Sequence, residues 1–302
     1  MNVLEVKDVY KKLGKREVIK GINFSVGKGE IFGFLGPNGA GKTTTIKMMV
    51  GLIHPDQGSI CIDGADIVKS GNKARSKIGA VVENPEMYNY LSGMANLKML
   101  AEVRNIPKRN IDEVVELVNL TDRIGDKVGK YSLGMKQRLG LACCLLPKPK
   151  LIILDEPTNG LDPSGIIDFR DIIKKSVQEM GASVFISSHI LSEVEQLCTT
   201  VAFINKGEIK GIENITEGFM ENETEILSIK VRPSPLVMGI LESIDSIQEI
   251  SNHDSEYTIV AEKSASSKII KTLVEKNIDV YEVYKKHNSL EQRYMELVEG
   301  GR

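Results

Sequence analysis

The chain has 302 residues, 41% of them hydrophobic, with a formal net charge of −2 and a pI of about 6.2. This is enough apolar material for a sizeable core, and it lacks the basic footprint of a nucleic-acid binder. No apolar run approaches the ~18–20 residues needed to cross a bilayer. The start Met1-Asn2-Val3-Leu4-Glu5-Val6-Lys7-Asp8 does not read as a signal peptide, so the expected location is the cytosol. The four cysteines, Cys61, Cys143, Cys144 and Cys198, form no C-x-x-C pair. Reduced, mostly buried thiols are therefore expected rather than a zinc or redox site.

Residues 1–35 read as strand-rich, with segments near 3–9, 18–26 and 30–35. The last segment, Ile31-Phe32-Gly33-Phe34-Leu35, is a buried strand that runs into Gly36-Pro37-Asn38-Gly39-Ala40-Gly41-Lys42-Thr43-Thr44. That run fits G-x-x-x-x-G-K-[ST], a phosphate-binding loop. Its glycines let the backbone turn its N–H groups inward at an anion. A helix expected from Lys42 to about Val50 adds unpaired N–H groups and the positive end of a dipole. Lys42 would reach the β- and γ-phosphates, and Thr43 would hold Mg²⁺. A plain Gly-rich turn explains the glycines but not Lys42-Thr43 between a buried strand and a helix. The motif predicts nucleoside triphosphate binding without saying which NTPase this is.

Further strands are predicted near 59–63 and 77–82, and a mostly helical stretch over 86–146. There Ile111, Val114, Val115 and Val118 recur at i, i+3, i+4, i+7, one apolar helix face. In Tyr131-Ser132-Leu133-Gly134-Met135-Lys136-Gln137-Arg138, Ser132 reads as an N-cap with Gly134 in the first turn. Leu151-Ile152-Ile153-Leu154 is a short buried strand that delivers Asp155 and Glu156 at its C-terminal end, where open α/β sheets bind ligands. Asp155 would bind Mg²⁺, directly or through water. Glu156 would point to the other side of the strand and polarise the attacking water. Asp162 and Pro163 start another helix that Gly181 ends, and 183–187 is a strand. Strands alternating with helices predict an α/β fold with a parallel sheet. After a linker at 213–224, strands at 226–231, 246–250, 256–261 and 278–284 interleave with helices at 234–242, 265–276 and 289–298. That order suits a small C-terminal α+β domain, 225–302, of the split-βαβ kind.

In combination, the phosphate loop, the helical insertion, the Ser132-x-Gly134 helix start, Asp155-Glu156, Gly160-Leu161-Asp162 and Ser188-His189 resemble one family closely. Over residues 1–212 the chain is similar to the ATP-binding subunits of ABC transporters. The resemblance implies a P-loop NTPase core with a helical subdomain at about 86–146. It implies that residues 36–44 bind ATP and that Thr43 and Asp155 hold Mg²⁺. Glu156 and His189 would act in hydrolysis, with His189 the switch histidine. Ser132 and Gly134 would contact the γ-phosphate of ATP on a second ATPase subunit, a copy or a relative, and Asp162 would lie in the loop that crosses between them. The chain would sit on the inner face of the membrane, bound to a separate transmembrane permease.

Two departures stand out. The glutamine expected after Val81-Val82 is Glu83, which is expected to act on Mg²⁺ and the attacking water. The family's adenine-stacking aromatic is replaced by Leu13, with Tyr10 the alternative platform. Glu83-Asn84-Pro85, the 131–138 segment and the C-terminal extension resemble the ATPases of bacitracin- and lantibiotic-resistance exporters. That implies export of a peptide antibiotic, with lipid, ion or drug exporters as alternatives. Met87, Tyr88, Tyr90 and Leu91 are candidates for the permease-docking cleft, with core packing the other reading. One cassette, no heptad run and no basic tract set the chain apart from ribosome- or DNA-acting ABC ATPases. Lys42, Thr43, Asp155, Glu156 and His189 set it apart from a non-catalytic nucleotide sensor.

Overall fold

In the computed structural model the described residues are 2–83, 85–215, 224–253, 256–286, 290–295 and 297. The chain divides into two units, Met1–Ile215 and Thr216–Arg302.

The first unit is built on two sheets. One is four-stranded and antiparallel in the order β2-β1-β4-β5: β1 Asn2–Leu13, β2 Arg16–Gly27, β4 Gln57–Ile62 and β5 Ala65–Asp66. The other has six strands in the order β10-β9-β3-β8-β7-β6: β3 Ile31–Leu35, β6 Ile78–Val81, β7 Leu151–Asp155, β8 Ser183–Ser188, β9 Thr200–Asn205 and β10 Glu208–Asn214. It is parallel from β9 to β6, with β10 the antiparallel edge. The parallel sheet is the expected one; the separate antiparallel sheet and the β9–β10 hairpin are additions to it. The hairpin signal is Lys206-Gly207, two residues at φ 49° and 83° between paired Asn205 and Glu208, as a tight primed turn requires.

Alternation along β3 explains how the layers meet. Phe32 and Phe34 share one face and meet Phe24 of β2 and Phe185 of β8, with ring centroids 5.3–5.8 Å apart. This aromatic cluster joins the two sheets, and α1 (Lys42–Met49) buries Ile46, Met48 and Met49 in the same core. On the opposite face, a Cβ at Gly33 would lie 2.7 Å from Val194 of α7 (Leu191–Leu197). Glycine there lets that helix seat directly on the sheet.

The region expected to be helical holds α3 (Gly93–Val103), α4 (Arg109–Leu117) and α5 (Leu133–Leu145), after the short α2 (Gly71–Arg75). Ile111, Val114, Val115 and Val118 are all buried. Then α6 (Pro163–Met180) starts on an Asp162 side chain that accepts from Gly165 N–H and ends on Gly181 at φ 64°.

The second unit runs β11 (Thr224–Val231), α8 (Val237–Glu242), β12 (Ile247–His253), β13 (Glu256–Glu262), α9 (Ala265–Glu275), β14 (Val280–Lys286) and α10 (Leu290–Tyr294). Its antiparallel sheet has the order β12-β13-β11-β14. Leu227, Ile229, Tyr257 and Ile259 of the sheet, Leu241 of α8 and Ile269 and Leu273 of α9 form its own core. Residues 213 and 214 of the expected linker belong to β10, because they pair with Val201 and Thr200. Residues 216–223 of that linker, and 289, 296 and 298 of the expected last helix, lie outside the described residues.

Candidate functional site

The phosphate loop connects the C-terminal end of β3 to α1. Gly36 N–H donates to the Ser188 carbonyl at 3.3 Å, and Gly207 N–H to the Ala40 carbonyl at 2.9 Å. A Cβ at Gly36 would lie 2.2 Å from the Ile204 carbonyl. Gly41, the N-cap of α1, has φ 117°, a conformation that favours glycine. Pro37, Asn38 and Gly39 are the accessible part of the loop, and Thr43 and Thr44 are half-buried beside it.

Lys42 is buried, and its ammonium has three acceptors: the carbonyls of Gly36 at 2.7 Å and Pro37 at 3.3 Å, and Glu156 Oε1 at 3.1 Å. A buried ammonium requires such partners. Glu156 Oε2 in turn meets His189 Nδ1 at 3.0 Å and accepts from Asn159 Nδ2 at 2.7 Å. Partial burial works against the Glu156 charge, but Lys42, His189 and Asn159 outweigh it and hold its carboxyl below the ordinary range. The phosphate loop, the turn after β7 and the turn after β8 thus converge on one carboxylate.

Strand alternation does not aim Glu156. β7 ends at Asp155, and Glu156 takes φ 46°, a left-handed conformation that costs a non-glycine residue about 1–3 kcal/mol. That turn, not the opposite strand face expected from sequence, brings its carboxylate to Lys42. Asp155 is buried, and its Oδ1 accepts from Ser187 Oγ at 2.7 Å. Sequence reasoning missed Asn159, whose signal is its spacing three residues after Glu156. It also missed Ser187, whose partner Asp155 is 32 residues away.

Glu83 lies outside this cluster. It sits past the end of β6 at φ 63°, exposed, with Oε1 2.8 Å from Lys47 Nζ of α1. The hydrogen bond and charge of Lys47 lower its pKa. In this structure the Glu83 carboxylate pairs with Lys47, while Lys42 pairs with Glu156. Asn84 is outside the described residues.

Tyr10 is engaged elsewhere too. Its hydroxyl would lie 2.5 Å from a Cβ at Gly21, whose φ is 76°, so the ring covers the glycine of the neighbouring strand. Leu13, at the end of β1, is 49% exposed.

Ser132 caps α5 by accepting from Met135 N–H. Leu133 and Gly134 lie beside the loop before α6: Cβ atoms at Gly134 and Gly160 would be 3.7 Å from Leu161 and 3.1 Å from Leu133. Ser132, Leu133 and Asp162 are exposed. Among the described contacts, none joins Ser132 or Gly134 to the Lys42–Glu156 cluster of the same chain.

Beyond Glu83 opens a groove of about 630 Å³, lined by Val81, Val82, Pro85, Met87, Tyr88, Met99, Leu100, Val103 and Cys143 among others. Asn96 fixes its rim by accepting from Tyr88 N–H at 3.0 Å and donating to Tyr88 O and Ser92 O. Of the expected docking residues, Met87 and Tyr88 line it; Tyr90 packs edge-on against Tyr88 with ring centroids 5.9 Å apart, and Leu91 is half-buried next to them. Burial pushes the Cys143 thiol up to about 12 and raises those of Cys144 and Cys198, so these thiols stay protonated at neutral pH.

A family model described as "ABC transporter" matches residues 19–159. The ABC transporter ATP-binding protein YhcH of Bacillus subtilis (strain 168) is 48% identical over 98% of this chain and 95% of its own length. The chain belongs to the ABC transporter ATP-binding family. This ABC ATPase is also 39% identical to the bacitracin transport ATP-binding protein BcrA of Bacillus licheniformis, over 99% of the chain and 98% of that protein. A solved ATP-binding subunit of an ABC transporter superposes with TM-score 0.65 at 29% identity, covering 72% of this chain and 91% of that one. The chain is therefore an ATP-binding, ATP-hydrolysing transporter subunit. Among its described residues no helix is long and apolar enough to cross a membrane.

Proposed function

We propose that this ABC ATPase drives a bacterial exporter of peptide antibiotics of the bacitracin or lantibiotic type, through a separate membrane permease. The observation that carries the reading is the groove beside Glu83, which opens at the end of β6, in the sheet that carries the ATP site. Its apolar residues, with exposed Tyr88 and Val103, and the polar Glu86, Asn96 and Arg104 among them suit a short amphipathic helix of the permease. Near-complete alignment with a bacitracin transport subunit, second unit included, supports the substrate class.

In this reading the loop at 36–44 wraps the ATP phosphates, with Lys42 on the γ-phosphate. Thr43 and Asp155 would hold Mg²⁺. The donors fit, because Mg²⁺ takes one or two protein oxygens and completes its shell from phosphates and water. Bound there, the cation would neutralise developing phosphate charge. Glu156 orients and deprotonates water, and His189 holds Glu156 in place. Ser132, exposed, and Gly134, half-buried beside it, would complete the site of a second ATPase subunit, with Asp162 at the shared surface.

The test is co-expression with the permease in bacitracin-sensitive cells. The expected result is a raised inhibitory concentration for bacitracin or a lantibiotic, abolished by Glu156→Gln. Tyr88→Asp should prevent co-purification with the permease and leave ATP binding intact. An assembled, ATP-hydrolysing complex that raises neither inhibitory concentration would overturn the substrate class. Normal assembly of Tyr88→Asp would overturn the docking groove.

A further inference from the structure

In the parallel pairing of β7 with β8, Asp155 stands opposite Ser187. At that rung the Ser187 hydroxyl donates to Asp155 Oδ1 at 2.7 Å and accepts from the Glu156 N–H at 3.0 Å. The Ser187 carbonyl accepts from the same N–H at 3.2 Å. Ser187 is fully buried. A hydroxyl has a single proton to donate. Asp155 takes it, which leaves the oxygen's lone pairs for Glu156. One oxygen atom therefore holds both the Asp155 carboxylate and the Glu156 backbone amide. The backbone of Glu156 points the same way. Its φ of 46° persists in a non-glycine residue only where the surroundings hold it, and both Ser187 acceptors hold its amide.

We propose that Ser187 is a positioning residue for ATP hydrolysis. Its hydroxyl orients the Asp155 carboxylate and fixes the left-handed turn that aims Glu156 at Lys42 and His189. The inference rests on the assignment of Asp155 to Mg²⁺ and of Glu156 to the attacking water. An outer-shell hydrogen bond of this kind typically changes metal affinity or activity about 10–100-fold.

The test compares full-length wild type with Ser187→Ala, Ser187→Thr and Ser183→Ala. Ser183 is equally buried in β8, but its hydroxyl accepts from Gly29 N–H, away from the carboxylates. Ser187→Ala is expected to lower kcat about 10–100-fold with KM for ATP little changed. It should also raise the Mg²⁺ concentration needed to bind a fluorescent ATP analogue, and speed hydrogen exchange at the Glu156 amide. Ser187→Thr, which keeps the hydroxyl, should recover most of each effect, and Ser183→Ala should move none of them. Ser187→Cys keeps the volume with a weaker donor; it should follow alanine, and it carries the test if the alanine variant does not fold. The inference is overturned if Ser187→Ala and Ser187→Cys keep wild-type turnover and Mg²⁺ dependence while Glu156→Gln is inactive. If Glu156→Gln also turns over normally, the assignment of Glu156 falls first and the inference with it.

Discussion

Lys42 Nζ and Glu156 Oε1 stand 3.1 Å apart, although one residue follows β3 and the other follows β7. Two side chains proposed for different tasks, phosphate binding and water activation, are partners of each other. A γ-phosphate would compete with Glu156 for the same ammonium. Glu156→Gln is therefore expected to lower kcat by about 10²–10⁴-fold, the range for a general base, while nucleotide binding stays as tight or becomes tighter. Steady-state turnover and titration with a fluorescent ATP analogue check both halves. Weaker binding would mean that Lys42 needs Glu156 to hold its position.

The same contact predicts a pH dependence of stability. Lys42, His189 and Asn159 hold the Glu156 carboxyl below its ordinary 4.5 despite partial burial. The folded state thus favours the charged form. Its contribution is fully present above pH 4.5 and is lost as pH falls through the lowered value. Glu156→Gln should melt below wild type at pH 7, by about 1–2 kcal/mol, and the gap should close as pH falls below about 4.5. Melting curves at pH 7, 5 and 3.5 measure this; a gap independent of pH would contradict it.

Gly36→Ala probes the close approach beneath the loop. The added Cβ would lie 2.2 Å from the Ile204 carbonyl, a backbone atom that cannot swing aside, so loop and β9 must separate. The expected loss is about 1–3 kcal/mol, the range for overpacking, together with weakened nucleotide binding. Gly125→Ala, where an added Cβ meets nothing within 4 Å, is the control. Equal melting temperatures for the two variants would show that β9 gives way freely.

Glu83→Gln tests the ion pair with Lys47, which joins side chains 64% and 36% exposed. Exposed pairs contribute about 0–1 kcal/mol and are screened by salt. The variant should melt close to wild type, and any difference should vanish near 1 M salt. Its Mg²⁺ dependence of ATP hydrolysis should match wild type, because Glu83 lies outside the Lys42–Glu156 cluster. A changed Mg²⁺ requirement would restore Glu83 to the metal site.

What could be read from sequence was the chemistry that demands fixed spacing. Gly36 through Thr43, and Asp155-Glu156 after four apolar residues, identify themselves because the loop geometry tolerates few alternatives. The same holds for the helix starting on Asp162 and ending on Gly181, whose caps are local. Ser187 and Lys47 were not legible, since their roles come from strand register and from a contact 36 residues away in sequence. The direction of Glu156 was misjudged because a positive φ after the strand overrides alternation, and nothing in Asp155-Glu156-Pro157 announces that turn.

Tyr10→Ala separates two readings of one aromatic. In the fold its ring lies over Gly21 of β2, where glycine offers no side chain to the neighbouring strand and an aromatic fills the gap. Tyr10 is 38% exposed, so the expected destabilisation is modest, about 1–2 kcal/mol. Affinity for ATP should be unchanged, because the ring is committed to the sheet rather than to the nucleotide base. Melting temperature and ATP-analogue affinity, measured on the same preparation, check this. A tenfold loss of affinity, about 1.4 kcal/mol, at unchanged melting temperature would instead make Tyr10 the base platform.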